Sequence, residues 1–319
     1  MKISGFSMAR NAHKLYYPIR EVVLSALPLV DEFVVALGAG DPDDRSADLL
    51  GAIRNDKLKI VPTTWDIGKY PRGMENAHQT DIAKSHCSGD WLLYLQADEV
   101  IHEEDYPLIR SFCEKYLHDK SVEGFLFKYH HFWGDFDHCH NAHSWYKREI
   151  RIIRNDPAIH SWESAQSFRR IPVFDGLNYR QQEGTHKIRV IETPARIFHY
   201  GWVRPPELMR KKTQALDTIH KGADKVAEMT AQKHYEFDYG PLGRIPRYPG
   251  THPAVMKEWI SRLNWTDQLD YGRNYPVNRR PHRHEKFKYR LLSWLENHLL
   301  GGRTLGGFKN FVRIGTFNT

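Results

Sequence analysis

The sequence predicts an α/β fold: a mostly parallel central sheet flanked by helices, followed by a mainly helical or irregular C-terminal extension. Three observations predict it. Apolar runs of strand length alternate with segments of helical period through residues 1–129. That alternation needs crossover connections, and crossovers make parallel strands. The run at 91–95 is apolar throughout, as a strand buried on both faces should be, and Asp98 and Glu99 follow its carboxyl end. Open α/β sheets bind their ligands at that end. A chain of 319 residues allows one large domain with appendages, or two domains.

Residues 2–6 read as the first strand, with Ser7, Arg10 and Asn11 at its carboxyl end. Pro18 opens a helix to about residue 27, with Ile19, Val22, Val23 and Ala26 on one face, and Pro28 stops it. A second strand at 32–37 runs into a turn-rich acidic loop, 38–46. Asp44 or Ser46 caps a helix from 47 to 54. A third strand, 58–61, is stopped by Pro62. Then come a loop holding Trp65, Lys69, Arg72 and Gly73, a helix at 74–86, and the strand at 91–95. A helix at 108–117 and strands at 122–129, 149–153, 189–191 and 196–200 follow. Pro205 and Pro206 open a helix that passes His220. Residues 235–283 carry no assignable period. The segment 285–300 is helical, with Leu291, Leu292, Leu295 and Leu299 on one side.

Composition narrows the partners. Hydrophobic residues at 40% and charged residues at 27% are those of a soluble globular chain. A net charge of +7 with 19 histidines favours anions: phosphate, nucleotide, acidic glycan or anionic lipid. The basic residues are interleaved with 39 acids rather than gathered in one patch, so nucleic acid ranks last. Cys87, Cys113 and Cys139 share no framework spacing, which points to a reducing compartment. No signal peptide opens the chain, and no apolar run nears the roughly 20 residues that span a bilayer. A cytoplasmic location is expected, with peripheral contact at the inner face of the membrane left open.

Several residues carry chemistry, each with a plainer reading beside it. Asp98 and Glu99 make a metal or diphosphate site, or a solvated turn before the acidic first turn of Glu103, Glu104 and Asp105. Arg72, Gly73 and Asn76 at a helix start favour an anion through free amides and the helix dipole, or form a solvated cap. The loop with Asp135, Asp137, His138, His140 and His143 lacks the repeated spacing of a zinc site; lining a polar ligand pocket is the better reading. Glu163, among Ile159, Trp162 and other apolar neighbours, suits a desolvated general base, or a structural partner of Arg169 or Arg170. His199 ends an apolar strand, as core histidines do. Arg204, Arg210, Lys211 and Lys212 read as a solvated basic face. Gly38-Ala39-Gly40 lacks the third glycine and the helix register of a dinucleotide loop.

Four stretches, in order and spacing, resemble the family 2 glycosyltransferases, which have the Rossmann-like GT-A fold. They are Ile3-Ser4-Gly5-Phe6-Ser7-Met8-Ala9-Arg10-Asn11, then Val30-Asp31-Glu32-Phe33-Val34-Val35-Ala36-Leu37 with its acidic loop. Arg72-Gly73-Met74-Glu75-Asn76-Ala77 leading to Ser88-Gly89-Asp90-Trp91-Leu92-Leu93-Tyr94-Leu95-Gln96-Ala97-Asp98-Glu99 is the third and most specific. Trp162-Glu163 followed by His199-Tyr200 is the fourth. The branch most similar handles lipopolysaccharide cores and cell-surface glycans.

The resemblance implies a catalytic domain over 1–215, with a nucleotide-sugar half (1–129) and an acceptor half (130–215), and an aromatic, basic extension over 216–319. It implies an inverting, hexosyltransferase-like enzyme (EC 2.4) acting on a glycan or lipid-linked hydroxyl. Asp98 would hold a divalent metal, Mn²⁺ or Mg²⁺, with His199 as a second contact. Arg10, Asp41, Asp43, Arg72, Asn76 and Gln96 would surround the donor, and Glu163 would be the base. Two departures stand out. Gln96 replaces the first aspartate of the family's acidic pair, which makes metal weak or dispensable. Gly38 replaces the first aspartate of the second-strand loop. A non-catalytic nucleotide-sugar or carbohydrate-binding protein on a degenerate GT-A fold is the alternative. The leucines of 285–300, near Lys286, Lys288, Arg290, Arg303, Lys309 and Arg313, rest on anionic lipid or on the core.

Overall fold

A computed structural model of the chain describes residues 1–231, 237–273, 279–302, 304–306 and 309–317. Strands β1 (Ile3–Ala9), β2 (Glu32–Gly38), β3 (Leu58–Thr63) and β4 (Trp91–Tyr94) lie parallel in the order β3-β2-β1-β4. Helices α1 (Ile19–Ala26), α2 (Ser46–Gly51) and α3 (Met74–Ser85) connect them. The apolar runs become strands because both faces are covered: all of β4 is buried, as is the centre of β2. Pro62 does not stop β3. It pairs with Leu37 on the sheet's edge strand, where a missing N–H leaves no ladder bond unmade on the open side.

Beyond β4 the sheet changes character. β5 (Glu99–Ile101) turns back against β11 (Ile188–Trp202), and α4 (Tyr106–Lys115) follows. β6 (Gly124–Trp133) runs four residues past the expected end at 129 into the histidine-rich stretch, and β7 (Cys139–His140) pairs with it. β8 (Arg148–Arg154) inserts antiparallel between β4 and β6. β9 (Ile159–Trp162) and β10 (Ser167–Arg170) form a separate hairpin. The two short strands expected at 189–191 and 196–200 are one strand, β11, parallel to β6; its register slips between Glu192 and Arg196, around Pro194. Among the described residues the main sheet holds ten strands, mostly parallel along its length.

Helices α5 (Pro206–Lys221), α6 (Ala223–Ala231), α7 (Lys257–Ile260) and α8 (Phe287–His298) carry much of the C-terminal part. This part also returns to the sheet, since β12 (Phe311–Thr316) lies parallel on β11. Tyr239, Leu242, Trp259 and Trp265 belong to the same buried core as β1, β4 and β6. On α8, Glu296 is buried against His143 and Lys147, and Leu292 and Leu295 are half-buried. Leu291 and Leu299, which the helical period placed with them, stay exposed beside Phe287 and Trp294. Arg303 lies outside the described residues.

One polar contact crosses this core. Arg151 of β8 and Glu99 of β5 are both wholly buried, with Nε–Oε2 and Nη2–Oε1 distances of 2.7 and 2.8 Å. The Tyr129 hydroxyl of β6 donates to Glu99 Oε1 at 2.7 Å, and the Gln96 amide donates to Oε2 at 3.1 Å. Removing one partner leaves an unpaired buried charge, whereas replacing both with apolar groups does not. Arg151→Met is therefore expected to cost about 3–5 kcal/mol in urea unfolding. The double variant Arg151→Met, Glu99→Leu should recover much of that loss. Equal losses in single and double variants would show that the pair is not what carries the effect.

Candidate functional site

The carboxyl ends of β1 and β4 open into a cavity of about 940 Å³. Its near wall holds Arg10 and Asn11 after β1, Trp65, Asn76 of α3, Gln96 and Asp98 after β4, and Glu163 and Arg180. His199 of β11 and Lys212 of α5 close the floor beside Asp98. The far wall is aromatic: Trp133, Trp145, Tyr146 and Trp202, with His282 and His284 from the C-terminal part. Trp133 and Trp202 stack with centroids 5.0 Å apart, and Trp145 meets Trp133 edge-on at 5.6 Å. One pocket thus joins a polar, charged half to an aromatic half. That division suits a ligand with an anionic end and a less polar one.

Asp98 is held from several sides. The turn before it is tied to the buried Glu99, and the Gln96 side chain donates from Nε2 to the Ala165 carbonyl at 3.0 Å. The Tyr200 amide donates to the Asp98 carbonyl at 2.9 Å. The Asp98 carboxylate, itself buried, has Lys212 Nζ at 3.2 Å and His199 Nε2 at 3.8 Å from Oδ2. Lys212 Nζ also donates to the Gly201 carbonyl at 2.5 Å. Gly201 is required there, because a Cβ would overlap the Asp98 carboxylate and lie 2.6 Å from His199 Nε2. Burial opposes charging Asp98, yet Lys212, His199 and Arg204 outweigh it and hold the carboxyl below its usual range. Burial and then the charge of Arg204 push Lys212 down to about 7, against the pull of Asp98.

The hydrogen-bond chain behind His199 decides its tautomer. His131 Nε2 lies 2.8 Å from the Tyr146 carbonyl, which only accepts, so this nitrogen carries the proton. Burial, then the neighbouring His199, keep His131 neutral, so its Nδ1 is an acceptor. His199 Nδ1, 3.0 Å away, must then be the donor. Burial also lowers the pKa of His199, and the neutral ring presents an unprotonated Nε2 to the gap in front of Asp98. Two acceptors facing one gap call for a donor or a cation between them.

The divalent ion that the resemblance implies at Asp98 and His199 finds an incomplete fit. Lys212 already places an ammonium against Asp98 Oδ2, and Gln96, a neutral side chain whose Nε2 donates to the Ala165 carbonyl, supplies no second carboxylate. Among the described residues no group of three His, Cys, Asp or Glu side chains is arranged to hold a metal.

Arg10, Asn76, Gln96, Asp98, Glu163 and His199 all reach the cavity wall. Asp41, Asp43 and Arg72 are not part of it. Lys14 takes the carboxylates of Asp41 and Asp43 at 2.8 and 2.7 Å. Arg72, with a left-handed φ of 60°, turns the chain ahead of Gly73 and α3, and its carbonyl accepts from Arg180. Gly73 (φ 87°) continues that turn where a Cβ would meet His220 at 2.5 Å.

The desolvated setting expected for Glu163 is not what it has. Its side chain is 37% exposed and faces Arg180 at 3.6 Å, rather than Arg169 or Arg170. Its φ of 56° is a left-handed conformation rare for a bulky residue. In the histidine-rich loop His138 pairs with Asp135 and His140 stacks on Trp145, while His143 pairs with Glu296 of α8.

Lys212 and Arg204, expected on a solvated basic face, are both buried. For Lys212 the signal is the spacing Pro206, Met209, Lys212, which puts it on the inward side of α5.

No protein-family model matches the chain, and no curated protein sequence matches it. Solved structures with partial likeness include Staphylococcus aureus TarS 1–349 in complex with UDP-GlcNAc (21% identity over 41% of this chain and 35% of that one, TM-score 0.28). Glucosyl-3-phosphoglycerate synthase from Mycobacterium tuberculosis, in complex with Mn²⁺, UDP and glucosyl-3-phosphoglycerate, is 18% identical over 42% and 45%, with a TM-score of 0.27. The mannosyltransferase PcManGT from Pyrobaculum calidifontis, in complex with GDP-Man and Mn²⁺, is 21% identical over 39% and 34%, with a TM-score of 0.30. Each alignment spans less than half of the other protein's chain, and the TM-scores are too low to carry an activity across.

The packing of this half of the molecule depends on neutral histidines. Burial, followed by the charge of Arg196, pushes His130 from 6.5 down to about 4; burial and then His282 push His284 to about 4. The unfolded chain takes up these protons near pH 6.5, the folded chain only near 4. Their contribution is therefore complete above about 6.5 and is lost as pH falls toward 4. The urea midpoint should drop between pH 7 and pH 5, and His130→Gln should flatten that drop. A midpoint that stays level over this interval would contradict the assignment.

Proposed function

We propose that the chain is a glycosyltransferase that moves a sugar from a nucleotide-sugar donor to a hydroxyl of a glycan or lipid-linked acceptor. The observation that carries this reading is the single cavity at the ends of β1 and β4. It gathers Arg10, Asn76, Asp98, Glu163, His199 and Lys212 together with the aromatic side chains of Trp133, Trp145 and Trp202. Of the residues that the resemblance to family 2 glycosyltransferases singles out, Arg10, Asn76, Gln96, Asp98, Glu163 and His199 line this cavity. The donor's diphosphate lies toward Asp98, Lys212 and Arg10, and the acceptor toward Trp133, Trp145 and Trp202. In this arrangement residues 216–319 belong to the acceptor side, through His282 and His284.

The chemistry is a single displacement with inversion. An acceptor hydroxyl oxygen forms a bond to the anomeric carbon as the bond from that carbon to the diphosphate oxygen breaks. The hydroxyl proton passes to the Glu163 carboxylate, and the electron pair leaves with the nucleoside diphosphate. Lys212 and Arg10 meet the charge that grows on the leaving group, which is where fixed cations lower a barrier most. The left-handed backbone at Glu163 is local strain of the kind kept at reacting positions.

The exposure of Glu163 and its contact with Arg180 favour one rival, a binding protein without catalysis. Turnover separates the two. Incubated with nucleotide sugars, the wild-type chain should release nucleoside diphosphate. Glu163→Gln should lower that rate by about 10²–10⁴-fold, the usual worth of a general base. Donor affinity should change little. Unchanged turnover in this variant would remove Glu163 from the mechanism. Donor binding without any turnover in the wild type would establish the binding-protein reading instead.

A further inference from the structure

We propose that Lys212 supplies, from the protein itself, the positive charge that faces the donor diphosphate at Asp98, in the place where a divalent metal ion would stand. The inference rests on the nucleotide-sugar reading above and names how that site meets its anion.

Position is the first support. Lys212 is 4% exposed, yet it belongs to the cavity wall, so it is buried everywhere except toward the ligand space. Its Nζ is pinned by Asp98 Oδ2 at 3.2 Å and the Gly201 carbonyl at 2.5 Å. Those bonds use two of an ammonium's three donors, leaving one for a ligand. Tyr17 and Trp202, with centroids 5.0 and 5.5 Å from Nζ, confine it further. A lysine held this way cannot swing aside as a surface lysine would.

Charge balance is the second. Arg204, wholly buried, donates to the same Gly201 carbonyl at 3.1 Å and to the Leu15 carbonyl. Lys212 and Arg204 therefore share one anionic neighbour, Asp98, because the adjacent Glu99 is already neutralised by Arg151. With Lys212 protonated, two cations against one carboxylate leave a positive charge uncompensated in a poorly hydrated place. Such a charge is costly unless an anion joins it. A divalent ion at Asp98 would add two more positive charges beside this pair. A diphosphate would balance it. Gln96 fits the same account, since a neutral side chain stands where a second carboxylate would be needed to hold a metal.

Calorimetric titration of the full chain with UDP, GDP and inorganic pyrophosphate, each in EDTA and in Mn²⁺, tests this. The wild type should bind at least one nucleoside diphosphate in EDTA, with affinity changed less than about threefold by Mn²⁺. Lys212→Met should weaken that binding in EDTA by about 10- to 100-fold, the worth of one charge-assisted hydrogen bond. Lys212→Arg should retain most of it. Mn²⁺ should restore affinity in Lys212→Met, because the place beside Asp98 is then vacant. Wild-type binding seen only with Mn²⁺ would overturn the inference and leave the nucleotide-sugar reading standing. So would Lys212→Met binding as tightly as wild type in EDTA. No binding of any nucleotide by folded wild type, with or without metal, would overturn both.

Discussion

The buried pair of Arg151 and Glu99 is the constraint on which the rest of the site depends. It ties β8, the antiparallel insertion, to β5, and through Tyr129 it ties both to β6. The Gln96 amide is bound to the same carboxylate, so the turn that presents Asp98 is braced from below. Burying an ion pair is a poor way to gain stability, because desolvation offsets most of the attraction. What the pair supplies here is position: the two charges are satisfied in one arrangement only, and that arrangement sets Asp98 on the floor of the cavity.

Adjacent carboxylates thus divide the work. Glu99 faces inward and is neutralised by Arg151, while Asp98 faces the ligand space with Lys212 and His199 around it. Because Glu99 is already paired, it cannot offset the charge of Lys212 and Arg204. The electrostatic character of the cavity floor, a small positive excess, follows from the pairing one residue away. His131 extends the same logic by fixing which nitrogen of His199 meets the gap. On the aromatic wall burial lowers the pKa of His282 and His284, and Arg283 is the charged residue between them. The two ends of the pocket differ in polarity through the packing of β6, β11 and the C-terminal part.

Much of the first half was legible in the sequence. The runs that became β1, β2 and β4 are apolar because both faces of those strands are covered, and Pro18 announced α1. The parallel order followed from the alternation. Elements with weak local signal were not legible. β5 is three residues long and is defined by its pairing with β11, while β12 is a short, mostly exposed strand held by a distant partner. β11 looked like two strands because Pro194 interrupts its pattern without ending it. Arg10, Asn76, Gln96, Asp98, Glu163 and His199, which the family resemblance singled out, all line the cavity. Asp41 and Asp43, expected around the donor, are held by Lys14 from a different loop and do not line the cavity, a contact the sequence does not show. Lys212 was taken for surface because lysine usually is, although its spacing from Pro206 and Met209 places it on the inward side of α5.

The central claim is that a nucleoside diphosphate lies in this cavity with its phosphates against Lys212 and Asp98. The most direct measurement is a crystal structure of the chain grown with UDP or GDP, whichever binds, in the presence of EDTA. The account predicts a phosphate oxygen at hydrogen-bond distance, about 3 Å, from Lys212 Nζ, with the nucleoside directed toward Arg10 and Trp65. Density for the diphosphate elsewhere on the molecule, or in this cavity but out of reach of Lys212, would contradict it.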